Sequence, residues 1–198
     1  MSWWRIGGLG LTGYLVLLSY SIARPPVESL FLATYTEEGL PWVWLMQPVF
    51  TLATVLIYNR YAAVWSLGEL YIMACTLSSL CLIGLQVAYA VLPDWTLFAL
   101  YLWKDIYIVV LIEIFWSTAN HTYDLNNAKK TYGLFMACGT LGSLTGDVMV
   151  GHLAHNLGWG SINTLWLVIP ILMLSAWVFS RMDTLDRGDV HQPKPPSI

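Results

Sequence analysis

Five charged side chains fall deep inside apolar stretches of the chain: Arg24, Lys104, Asp105, Glu113 and Asp147. An ionised group far from water is expensive, so each one marks a place where charge is bound, relayed or paired. Counted inward from the ends of their apolar stretches at Thr34, Trp95 and Leu157, Arg24, Lys104 and Asp147 lie about ten residues deep, roughly 15 Å at 1.5 Å per residue. That is the middle of a hydrocarbon core about 30 Å thick. Two chemistries follow. Arg24 with Glu28 one helical turn on, and Lys104 with Asp147, can be structural ion pairs that neutralise each other and set helix register. Alternatively, Arg24, Glu28, Gln47, Lys104, Asp105, Glu113 and Asp147 line a polar cavity that binds an anionic or zwitterionic solute, or relays protons. At 100° per residue, Asp105, Glu113, Trp116 and Asn120 share one quadrant of a helix, a continuous polar stripe.

Other chemistry finds little support. His152 and His155 stand three apart, but no acidic or Cys partner lies within sequence reach, so no metal site is expected. No Ser-His-Asp, HExxH or CxxC pattern occurs, haem ligation by His121, His152 or His155 has no positive support, and the chain reads as a non-enzyme without a cofactor. Cys75, Cys81 and Cys138 sit in apolar stretches and read as small buried hydrophobes. Gly139, Gly142 and Gly146 read as helix-packing residues, with Gly142-xxx-Gly146 allowing close approach within the bundle or to another subunit. No basic cluster exceeds Lys129-Lys130, which excludes nucleic acid as a partner.

The elements that must position these residues are membrane helices. Of 198 residues 57% are hydrophobic and 11% charged, with a mean hydropathy of +0.61, against roughly 25% charged in soluble domains. An all-α polytopic fold with six transmembrane helices follows, over about 6–34, 40–58, 62–92, 95–120, 131–157 and 162–180, within one membrane domain spanning 1–182. Residues 183–198 read as a cytoplasmic polar tail. Ser21 and Ala23 imitate a signal-peptidase site, but apolar character resumes after Arg24, so the first stretch reads as a retained helix. Pro25-Pro26 are read as a kink inside it, tolerable where protein surrounds them. Glu37-Glu38-Gly39, Asn59-Arg60, Pro93-Asp94 and Gly158-Trp159-Gly160 read as turns, and His121 to Lys130 as a longer polar loop with Asp124 and Asn126 as N-cap candidates.

Six spans place Arg5, Arg60, Lys129, Lys130, Arg181, Arg187 and Lys194 on one side and Glu37, Glu38 and Asp94 on the other. The positive-inside rule puts both termini in the cytoplasm, in an integral membrane protein of the kind found in bacterial inner membranes. Trp3, Trp4, Trp42, Trp95 and Trp159 fall near helix ends, as interfacial anchors do. Polar groups fall on helices one, two, four and five, with three and six read as outer struts.

The stretch Phe115-Trp116-Ser117-Thr118-Ala119-Asn120, followed by Asn127-Ala128-Lys129-Lys130-Thr131-Tyr132-Gly133-Leu134-Phe135, resembles the plastid and bacterial ATP/ADP translocases, as does Ser19-Tyr20-Ser21-Ile22-x-Arg24. The resemblance implies the N-terminal six-helix half of a major facilitator-like fold, whose helices one, two, four and five line a central cavity. It carries Arg24 and Asp105 over to a substrate site. The family's nucleotide-related lysine falls at Val27, and its acidic position early in the fourth helix falls near Lys104 or Asp105. A single half must cover its charged face, so the expected reading is a half-size transporter partnered by a parallel homodimer or other membrane subunits over helices one, two, four and five. A non-catalytic subunit of a larger membrane complex is the alternative.

Overall fold

The computed structural model describes the backbone of residues 3–62, 64–122, 125–156 and 158–190, and it is helical almost throughout, with no strand among the described residues. Helix α1 spans Trp3–Tyr35, α2 Leu40–Ala62, α3 Leu67–Tyr89, α4 Pro93–Thr122 and α5 Leu125–Asn156. A short α6, Ser161–Thr164, leads through a 3-10 turn into α7, Val168–Val190. Five helices are long and apolar enough to cross a membrane: those over Trp4–Tyr35, Glu37–Ala62, Leu67–Tyr89, Thr131–His155 and Ser161–Met182. The remaining long helix, α4, is not among them, and it carries Asp94, Lys104, Asp105 and Glu113.

Several boundaries differ from the sequence reading for local reasons. Helix α1 does continue through Pro25 and Pro26 as the sequence reading has it, with Pro26 and Val27 buried. Asn59-Arg60 lies inside α2 rather than in a turn. Pro93 is the first residue of α4, where its missing N–H would have no helical partner anyway. The polar stretch read as a loop is largely helical: α5 begins at Leu125, Asn126 lies within it, and Asp124 lies outside the described residues. The polar tail is helical as far as Val190, and residues 191–198 lie outside the described residues.

Helix α3 starts later than its apolar run because Ser66 caps it. The Ser66 hydroxyl accepts from the Glu69 N–H at 3.3 Å, and the Ser66 N–H donates to Glu69 Oε2 at 3.0 Å. This reciprocal pair occupies two amide donors that the helix itself cannot use. Ser66→Ala should cost about 1 kcal/mol and speed amide exchange over Leu67–Leu70. Unchanged exchange there would show that the cap contributes nothing.

The packing order places the site. Helix α2 packs on α4, α4 on α1, and α1 on α5, which makes one row; α3 and α7 pack on each other and behind α4 and α1. Helices α1 and α5 run parallel and close. A Cβ on Gly142 would land on the backbone carbonyl of Tyr14, one on Gly146 would lie 2.9 Å from the Leu18 oxygen, and one on Gly139 would lie 2.7 Å from Leu17 Cδ1. Ser21 and Ser143 join the same seam through a hydroxyl–hydroxyl bond of 2.7 Å. The rear pair is a built interface, not inert hydrophobe: the Tyr71 ring stacks on Phe179 at 4.1 Å and its hydroxyl meets Ser175 Oγ at 2.6 Å, all three residues fully buried or nearly so. Of the three cysteines only Cys75 is buried; Cys138 is half-buried and Cys81 is exposed, because it lies on the side of α3 away from its neighbours.

Candidate functional site

Four charged residues and a tyrosine converge where α1 meets α4. Spacing one turn apart puts Tyr20, Arg24 and Glu28 on one face of α1. From that face Arg24 Nε donates to Glu28 Oε1 at 2.9 Å, and Tyr20 OH donates to Asp105 Oδ1 at 3.3 Å. From α4, Lys104 Nζ donates to both carboxylate oxygens of Asp105, at 2.9 and 3.0 Å, and lies 3.5 Å from Glu28 Oε1. The same ammonium sits 4.0 Å above the Tyr101 ring, a cation–π contact available because Tyr101 is three residues back on the same helix. Two cations and two anions close a neutral network, and charge-assisted bonds of this kind are the strong ones in a dry setting.

Exposure within the network is graded. The Lys104 side chain is 3% exposed, Asp105 13%, Glu28 32% and Arg24 57%. Lys104 is therefore sealed behind the wall, while the Arg24 guanidinium stands at its surface. Beneath, Tyr107 is almost completely buried and its hydroxyl lies 3.4 Å from Ser19 Oγ. Aromatic packing braces both ends: Phe31 lies 4.8 Å from the Tyr101 ring toward one end, and Phe115 lies 5.7 Å from Phe135 toward the other.

The remaining sequence-chosen residues do not join this network. Glu113 and Asp147 are both exposed, and among the described residues neither has an ion-pair partner. Pairing of Lys104 with Asp147 is thus replaced by pairing with Asp105 and Glu28. Adjacent helical residues point about 100° apart, and the flexible four-carbon stem of Lys104 spans that angle to reach Asp105. Helical spacing still orients the two unpaired acids. Asp147 lies 40° from Ser143, which bonds α1, and Glu113 shares a quadrant with Trp116 and Asn120, which contact Tyr132 of α5. Gln47 on α2 is half-buried. Tyr20 and Tyr101, not selected from sequence, were signalled by standing one turn before Arg24 and Lys104. Among the described residues no three His, Cys, Asp or Glu side chains converge on a metal-sized site.

The chain matches no family model, no curated protein and no solved structure. Fold and site together define a helical protein with five helices long and apolar enough to cross a membrane, carrying a charged network between α1 and a sixth long helix.

Proposed function

We propose that this chain is one half of a membrane transporter of major facilitator type, resembling the N-terminal half of the ATP/ADP translocases, and that it binds a zwitterionic solute on the wall formed by α2, α4, α1 and α5. In this reading α4 is a sixth span, both termini are cytoplasmic, and the protein sits in a bacterial inner membrane. The observation that carries the reading is the graded network. It presents one exposed cation, Arg24, and Glu113 on α4 and Asp147 on α5 add exposed, unpaired carboxylates on the two helices that pack against α1. A solute carboxylate or phosphate would meet the guanidinium, and its ammonium end would meet the acids. Left against hydrocarbon, each exposed charge would cost about 2.5–3.5 kcal/mol, so the wall faces a watery cavity closed by a second bundle.

The test is uptake of labelled zwitterions by purified protein in liposomes. Arg24→Gln should lower uptake about tenfold or more, since a hydrogen bond to a charged group is worth about 1.5–3 kcal/mol. Its stability should hardly change, because the Arg24 side chain is 57% exposed and water can replace the pair it breaks. No flux from folded protein across the panel would sink the reading. The sealing of Lys104 favours a second one, in which the network only fixes helix register within a non-catalytic subunit of a larger assembly. That role predicts unaltered assembly and no uptake by any variant.

A further inference from the structure

The structure assigns a groove between α1 and α7 to an anionic phospholipid, with an acyl chain in the groove and the phosphate on Arg181. The inference rests on reading these helices as membrane spans with cytoplasmic termini, and not on solute transport. Trp4 and Leu11 of α1 and Trp177 and Arg181 of α7 line a cavity of about 450 Å³, a volume ordinary for a small-molecule site. Gly7 makes the room, since a Cβ there would meet nothing within 4 Å. Its neighbour Gly8 lets the two helices meet, because a Cβ on it would land on Met182 Sδ. Trp4, Leu11 and Trp177 are all exposed. An apolar recess walled by indoles near the ends of two membrane-length helices lies where aromatic rings settle at the headgroup level.

The charge beside the groove sets the class of lipid. Arg181 falls in the last turn of the apolar stretch Ser161–Met182 and is exposed. Its guanidinium lies 5.4 Å from the centre of the Trp177 ring, so a cation–π contact holds it back along α7, over the recess. A guanidinium carries five donors in a planar fork that matches a phosphate. A lipid phosphate at that depth gives the charge a partner that hydrocarbon cannot. Met182 also lines a second cavity of about 220 Å³, to which Arg5 and His121 contribute. Among the described residues lining the two cavities none is acidic. That balance favours a net-negative lipid over a zwitterionic one, and basic pockets between helices on the cytoplasmic side are where anionic headgroups bind. The groove also stands apart from the charged wall. At 100° per residue Trp4, Gly7 and Leu11 point about 130° away from Tyr20, Arg24 and Glu28 round α1. A partner that covers the wall therefore leaves the groove to the bilayer.

The test titrates the purified, unaltered chain in detergent with dioleoylphosphatidylglycerol or dioleoylphosphatidylcholine and counts bound lipids by native mass spectrometry. One phosphatidylglycerol should bind, about tenfold more tightly than phosphatidylcholine, the scale of one charge-assisted hydrogen bond. Arg181→Gln should lose that preference. Gly7→Leu fills the groove from a position where the fold has room, keeps Arg181, and should abolish binding. Gly84→Leu, at an equally open glycine on α3, should leave binding unchanged. Equal affinity for the two lipids, unchanged binding by Gly7→Leu, or equal loss in Gly84→Leu would overturn the proposal. So would displacement of the lipid by an equal concentration of glycerol 3-phosphate, because the phosphate alone would then account for binding. Lipid binding without solute uptake would leave this site standing while removing the transport reading, and uptake by a chain that binds no lipid would do the reverse.

Discussion

Asp105→Leu should destabilise the protein by about 3 kcal/mol or more, the low end of what removing one partner of a buried ion pair does. Lys104 loses both of its short contacts and keeps only Glu28 at 3.5 Å and the Tyr101 ring at 4.0 Å. Its side chain is 3% exposed, so water cannot replace what is lost. The Tyr20 hydroxyl loses its acceptor as well. The diagnostic is the double variant Lys104→Met/Asp105→Leu, which removes both charges and keeps similar volume. A buried pair exchanged whole for apolar groups is often neutral or better, so the double variant should recover most of the single variant's loss in equilibrium unfolding in bicelles. Equal losses in single and double variants would show that Asp105 matters for its shape and not for holding the lysine.

The second large effect belongs to the α1–α5 seam. Gly142→Ala should lose about 1–3 kcal/mol, the range for overpacking a tight interior. The added methyl meets the backbone carbonyl of Tyr14, which cannot rotate aside as a side chain would. Helix α5 has to move outward, which also strains the Ser21–Ser143 bond made by the very next residue. On the same helix a Cβ on Gly133 would meet nothing within 4 Å; there Gly133→Ala should gain up to about 1 kcal/mol from helix propensity alone. Opposite signs for two Gly→Ala changes nine residues apart separate close packing from propensity. A matching gain at both positions would mean the helices do not approach as closely as the structure places them.

The contrast between these two glycines shows how far a sequence can be read. Gly142 and Gly146 were recognisable as a small-residue pair at one-turn spacing, but which helix they meet is set by contacts between residues more than a hundred apart. Capping at Ser66 was legible, since Ser-x-x-Glu before an apolar run is a local signature, and overlooking it placed the start of α3 too early. Proline was ambiguous in both directions: Pro25-Pro26 left the helix intact, and Pro93, taken as part of a turn, opens one. The exposure of Cys81 could not be read at all, because apolar neighbours in sequence do not say which side of a helix meets another.

Hydropathy and helical period are local properties, and they determined by themselves that this chain is built of helices long and apolar enough for a membrane, with the charges that fall deep inside apolar stretches lying on α1, α4 and α5. They also fixed the angular position of each charge on its own helix, including the Arg24–Glu28 pair. Only the tertiary structure decided which charges meet. It tied Lys104 to Asp105 and Glu28, left Asp147 and Glu113 unpaired, and made α1 and α4 the centre of a row with α2 and α5 as its ends. The physical reason is that a helix fixes direction but not neighbours. Neighbours follow from how closely backbones can approach, as at Gly142, and from how far a flexible side chain such as Lys104 can reach.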